Sequence, residues 1–177
     1  MSARKPKPAG SAKARLAPKA RAGAHCWLVK TDAASYSIAD LQRDGTTAWS
    51  GVRNYQARNT LRDEMQPGER VLFYHSSTEP MAVVGTAEVA SKPRPDQTAF
   101  DKRDDHYDPD SDPADPTWWL VDLRHVETFA RPVTREQLAA SPALRKMVLL
   151  QRGSRLSVQP VTPAEYAAVL ALGHGKA

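Results

Sequence analysis

One cysteine, Cys26, is all that 177 residues contain. That excludes intramolecular disulfides and thiolate metal clusters, and in its apolar run Cys26 reads as a small buried hydrophobe. No apolar run approaches the ~18 residues of a membrane span, and no signal-peptide core is present. There are only nine glycines, and none forms a phosphate-cradling loop or a Gly-x-Ser-x-Gly elbow, which argues against nucleotide hydrolysis, dinucleotide binding and hydrolase chemistry. Aromatics make up 7% of the chain, yet four are tryptophans, and Trp49, Trp118 and Trp119 stand beside polar or loop sequence.

Acids are missing from residues 1–25, which hold Arg4, Lys5, Lys7, Lys13, Arg15, Lys19 and Arg21. The net charge of +5 therefore becomes about −2 over residues 26–177, so the basic character belongs to the first segment. Ala, Pro, Gly and Ser fill the rest of residues 1–24, too little apolar surface to offset ordering entropy, and a disordered tail is expected. It reads either as a solvated extension or as an arm attracted to polyanions by counterion release. A mitochondrial transit peptide is a third option, but Pro6, Pro8 and Pro18 interrupt any amphipathic helix. The composition otherwise fits a cytoplasmic protein, or a nuclear one in a host with a nucleus.

The chain as a whole has 41% hydrophobic content, and the remainder has the length of one domain. Strands are expected at residues 26–30, 70–75, 82–89, 118–127 and 156–161, with a brief extended piece at 47–49. The 70–75 and 82–89 runs pair as a hairpin across Thr78-Glu79-Pro80, and Gly85 marks a bulge or a close backbone approach. Helix starts are written as capping boxes at Ser37–Asp40, Thr134–Gln137 and Thr162–Glu165, the last with proline at its first turn. Another helix is expected from Val52 to Met65, begun by Ser50 or Gly51 and stopped by Pro67-Gly68. Five or six strands interleaved with short helices, without regular βαβ repetition, give an α+β class built on a small curved sheet or barrel.

Two groupings look more chemical than they are. Asp108-Pro109-Asp110-Ser111-Asp112 imitates the start of a calcium loop, but Pro113 stands where glycine is needed and Trp119 where a bidentate glutamate belongs. His75-Ser76 follows an apolar strand with no acid identifiable beside it, the setting of a hydrogen-bonded structural histidine. No metal and no cofactor is expected.

The segment Trp49-Ser50-Gly51-Val52-Arg53-Asn54-Tyr55-Gln56-Ala57-Arg58-Asn59 is different: two arginines, carboxamides and two aromatics with no acid. Arginine forks match phosphates and guanine edges, carboxamides match base edges, and an indole stacks on an unstacked base. A capped amphipathic helix bracing its neighbours is the plainer alternative, and residue chemistry leaves both open.

Trp27-Leu28-Val29-Lys30, the 49–59 segment, Phe73-Tyr74-His75-Ser76, Tyr107-Asp108-Pro109, Arg131-Pro132-Val133-Thr134 and Gln151 through Val161 together resemble the EVE domain, over about residues 25–172, with 173–177 as a C-terminal tail. The resemblance implies a PUA-like mixed β-barrel flanked by short helices and related to YTH domains. It implies a monomer that binds nucleic acid, DNA or RNA, and is not an enzyme: a modified base is flipped into an aromatic-lined pocket. Carried over by position, Trp49 stacks on the base with Ser50 beside it, and Lys30, Thr31 and Asp32 offer polar contacts. Tyr74, His75 and Ser76 form another wall, and Arg152, Ser154 and Leu156 close it. Arg53, Asn54, Gln56 and Arg58 bind phosphate or brace the pocket, and Tyr107 or Trp118 completes the cage from the long loop. Where the family has Lys-Thr-Glu-Pro, this chain has Lys30-Thr31-Asp32-Ala33. On this reading Trp49→Ala removes discrimination and spares the fold. The alternatives are an enzyme acting on a nucleobase or nucleotide through His75 or Asp32, and a small-ligand or protein-interaction module.

Overall fold

A computed structural model describes residues 25–176. The basic tail at 1–24, with the disorder expected of it, lies outside the described residues. Strand β1 (Cys26–Asp32) comes from the first apolar run, and its alternate residues enter different cores. Trp27 and Val29 pack on one face of the sheet, Cys26 and Leu28 on the other. A strand covered on both faces reads as a continuous apolar run rather than an alternating one.

Helix α1 (Ile38–Asp44) opens on the Ser37 capping box and closes at Gly45, whose φ is +75°. The short strand β2 (Thr46–Ala48) follows. Helix α2 (Tyr55–Asn59) then begins later than expected and runs into a single π-type turn over Thr60–Glu64. The reason is local. Gly51 sits at φ +78°, outside helical geometry, and Asn54 takes an extended conformation and caps the helix, its side-chain oxygen accepting from Ala57 N–H at 3.0 Å.

Strands β3 (Arg70–Ser76) and β4 (Ala82–Val89) form the expected hairpin. Residues 91–117 are less empty than they look: β5 (Arg94–Pro95) pairs with β6 (Trp119–Leu120) as a separate two-stranded sheet. Strand β7 (Asp122–Thr134) continues well past Glu127. Its partner β2 reaches only Asp122–Arg124, so Pro132 falls where no neighbour on that side needs its missing N–H. Gly85 meets both expectations at once. The β4–β7 register shifts beside it, and a Cβ there would lie 2.2 Å from the Glu127 carbonyl oxygen.

Helix α3 (Arg135–Ala140), strand β8 (Val158–Val161) and helix α4 (Pro163–Gly173) complete the chain. Past α4, His174 Nε2 still lies 2.8 Å from Glu127 Oε1. The main sheet has the order β2-β7-β4-β3-β1-β8, with β1 and β3 parallel and the other pairs antiparallel. Its two ends remain edges, so the six strands make a curled half-barrel in an α+β fold. On one face α1, α2 and Trp49 cover Phe73 and Val71; on the other α3, α4 and the 142–150 turns cover Leu72 and Tyr74. No helix among the described residues is long and apolar enough to cross a membrane.

Candidate functional site

Between the carboxyl end of β1 and the segment after β2 lies a cleft of 510 Å³. Lys30 and Thr31, Tyr36 and Thr47, Trp49 through Arg53, and His106 line it. Trp49 is only 9% exposed: one edge packs on Phe73 at 5.6 Å between ring centroids, while the residue still lines the cleft. An aromatic wall held this firmly is preorganised for stacking. It is also part of the core, so the expectation that Trp49→Ala spares the fold is corrected. Emptying that volume costs about 3 kcal/mol or more.

The backbone from Ser50 to Arg53 is fixed by one buried carboxylate. Asp96 has no exposed surface and accepts from Gly51 N–H at 2.8 Å, Arg53 Nη1 at 2.9 Å, Thr98 Oγ1 at 2.7 Å and Thr98 N–H at 3.0 Å. Burial alone would raise its pKa. The hydroxyl of Thr98, the Arg53 guanidinium and the two backbone N–H groups outweigh that and hold it below the usual range. Arg53 donates also to Thr98, to the Val52 carbonyl and, twice, to the His106 carbonyl. It is a brace that ties the long loop to the cleft wall, and it lines the cleft.

Arg58 is committed as well, donating to Thr117 O and Asn59 Oδ1 while lying over Tyr55 and Trp118. Asn54 caps α2, and Gln56 is exposed on that helix away from the cleft lining. Trp118 is 5% exposed, stacked under Tyr55 with Arg53 over its face, and its indole N–H donates to Asp108 at 2.6 Å. It anchors the loop and does not line the cleft. Tyr107 does not line it either; the loop contributes His106 instead. Asp108 and Asp112 spend carboxylate oxygens on backbone N–H groups of their own loop, and no cluster of three metal-ligating side chains occurs among the described residues.

The period of a strand divides the expected walls. In the parallel register Lys30 lies beside Tyr74 and Thr31 beside His75. Successive side chains point to opposite faces, so Tyr74 and Ser76 turn away from His75. They line a second cleft, of 500 Å³, with Arg135, Gln151, Arg152, Ser154 and Arg155. Lys30 is common to both clefts, its Nζ donating to the Ser154 carbonyl at 3.2 Å. Burial first, and the Arg135 cation second, push the Lys30 pKa down.

His75 lines neither cleft. Its Nε2 accepts from Ile38 N–H at 3.0 Å, filling an orphan donor at the start of α1, and burial holds its pKa down despite Asp32. Asp32 folds back on Ala34 N–H at 2.9 Å, and Leu156 is half-buried outside both linings. The site thus gathers Lys30, Thr31, Trp49, Ser50 and Arg53 in one cleft, and Lys30, Tyr74, Ser76, Arg152 and Ser154 in the other. Asp32, His75, Leu156, Asn54, Gln56, Arg58, Tyr107 and Trp118 stand outside both. Tyr36, His106 and Ser157 join the first cleft without a sequence signal, because each arrives from a loop whose path no periodicity records. A further hollow of 790 Å³, beside Pro142 and Pro163, holds none of the expected residues.

The chain matches the model of the EVE domain over residues 25–172. Human thymocyte nuclear protein 1 is 39% identical over 165 residues, covering 82% of this chain and 72% of the relative. A solved hypothetical protein from Leishmania major superposes with a TM-score of 0.82 at 39% identity, over 86% of this chain and 96% of that one. The human THYN1 protein, solved in complex with 5-methylcytosine-containing DNA, superposes with a TM-score of 0.78 at 37% identity, over 84% and 97% of the two chains. The family match spans residues 25–172, and the chain belongs to the EVE domain family.

Proposed function

We propose that this protein binds DNA and recognises a modified cytosine, taking the base out of the helix into the cleft beside Trp49. The observation that carries the reading is that cleft: its 510 Å³ lies in the range of ~300–1,000 Å³ typical of small-ligand sites, and its lining combines Trp49 with the polar residues Lys30, Thr31 and Ser50. The complex of the human relative with 5-methylcytosine-containing DNA supports the same class of ligand. Extruding a base costs a few kcal/mol, which stacking at about 1–3 kcal/mol and hydrogen bonds from Lys30, Thr31 or Ser50 to the base edge offset. Burying one added methyl group is worth ~0.8 kcal/mol, a preference of about fourfold over unmodified cytosine. Discrimination is therefore modest, and phosphate contacts supply most of the affinity.

Conversion of the base is the weaker reading. His75 Nε2 already accepts a backbone hydrogen bond and the Asp32 carboxylate serves its own turn, so neither residue proposed as acid–base group is free in the cleft. Titration of otherwise identical duplexes carrying cytosine or 5-methylcytosine against wild type and Trp49→Leu tests the proposal. Leucine keeps apolar volume and removes the aromatic face. The expected result is a preference of about fourfold in wild type and none in the variant; a folded Trp49→Leu that discriminates as wild type does overturns it.

A further inference from the structure

Arg43, Arg53, Arg62, Arg94, Arg103 and Arg124 each lie against a carboxylate. The second cleft instead gathers three arginines and a lysine around one hollow. Its rim carries Arg135, Arg152 and Arg155, whose side chains form no hydrogen bond or ion pair among the described residues, and Lys30 stands at its inner wall. No carboxylate is among its lining residues. Glu79 acts electrostatically on the Tyr74 phenol but does not line the cleft. Four cations around 500 Å³ without an acid repel one another, and the depression of the Lys30 pKa by Arg135 registers that repulsion.

Placement makes the charge meaningful. The two clefts share Lys30; Thr31, the next residue of β1, lines the first cleft, and Tyr74 and Ser76 of β3 line the second. A nucleotide has the same division, a flat base joined through a sugar to an anionic phosphodiester. We infer that the second cleft, formed by Lys30, Arg135, Arg152 and Arg155 with Ser76 and Ser154, holds a backbone phosphodiester next to the nucleotide whose base occupies the Trp49 cleft. This rests on the base-recognition reading above and adds to it the anchor for the strand. Arginine forks supply paired donors to phosphate oxygens, and Lys30 Nζ keeps donors beyond the one given to Ser154. Contacts of this kind fix register and carry affinity without reading sequence.

The test uses the full chain and DNA with one 5-methylcytosine, in which the linkage on either side of that nucleotide is replaced in turn by a neutral methylphosphonate. One of the two replacements is expected to weaken wild-type binding about tenfold, the worth of a charge-assisted hydrogen bond. Arg135→Gln/Arg152→Gln is expected to lose a similar factor on ordinary DNA and nothing further on the methylphosphonate strand. Its 5-methylcytosine preference should be kept, and its plot of log affinity against log salt should be shallower by about one, the worth of the single phosphate given up. Residues 1–24 contribute equally to every variant and cancel. Independent, additive losses from the double variant and the methylphosphonate overturn the inference while leaving base recognition standing, as does an unchanged salt slope. A wild-type protein with no preference for the modified strand removes the base reading itself, before any arginine is changed.

Discussion

The Arg53 guanidinium and the Asp96 carboxylate lie 2.9 Å apart, and Asp96 has no surface open to solvent. Removing the cation strands a buried charge whose remaining partners are Thr98 and Gly51 N–H. Arg53→Ala is expected to destabilise the domain by about 2–4 kcal/mol in denaturant unfolding. Arg53→Lys recovers little, because one ammonium cannot span Asp96, Thr98 and the His106 carbonyl together. A variant within about 0.5 kcal/mol of wild type, the scatter of neutral surface changes, contradicts the bracing role.

The same pair explains why the 49–59 segment is hard to read from residue types. Arginines and carboxamides without an acid in sequence look available for nucleic acid, but Asp96 supplies the missing acid from 43 residues away. Trp49 shows the opposite case, since a tryptophan flanked by polar sequence is both core and cleft wall. Local signals were legible where one turn or strand carries the physics: the three capping boxes, the β3–β4 hairpin and the Gly85 approach. Two things were not. The split of Tyr74, His75 and Ser76 between faces needs the parallel register with β1, and the arrival of His106 depends on a loop held by Arg53. The resemblance to the EVE domain names residues that line both clefts, but assigns them to one pocket.

His75 links pH to folding. Its Nε2 must be unprotonated to accept from Ile38 N–H, and burial lowers its pKa from 6.5. The native state then binds fewer protons than the unfolded state, so stability rises with pH. The contribution of His75 is complete above pH 6.5 and is lost as pH falls through its lower folded value. His75→Gln keeps an acceptor without titrating, and should flatten the stability profile below pH 6.5 by less than one proton, under ~1.4 kcal/mol per pH unit. His125, lowered by burial in the same way, remains in both proteins, so the difference between their profiles is the measurement.

Gly85 tests the sheet. A methyl group 2.2 Å from the Glu127 carbonyl oxygen meets backbone, which cannot swing aside as a side chain can. Gly85→Ala should cost about 3 kcal/mol or more by separating β4 from β7, with faster amide exchange in both strands. Retention of wild-type stability would mean that the β4–β7 register adapts there.

Gly51 tests the cleft more selectively. At φ +78° an alanine pays about 1–2 kcal/mol of backbone strain, and its Cβ would lie 2.7 Å from His106 Nε2. That imidazole is exposed and can rotate, so the clash moves a side chain and leaves the backbone in place. Gly51→Ala should therefore remain folded, with a small loss in unfolding free energy and a displaced His106. Because His106 lines the cleft beside Trp49, the variant should bind 5-methylcytosine DNA more weakly while keeping the wild-type salt slope, as the second cleft is untouched. A weaker affinity accompanied by a shallower slope would instead place phosphate at the Gly51 turn and move the anchor to the Trp49 side of Lys30.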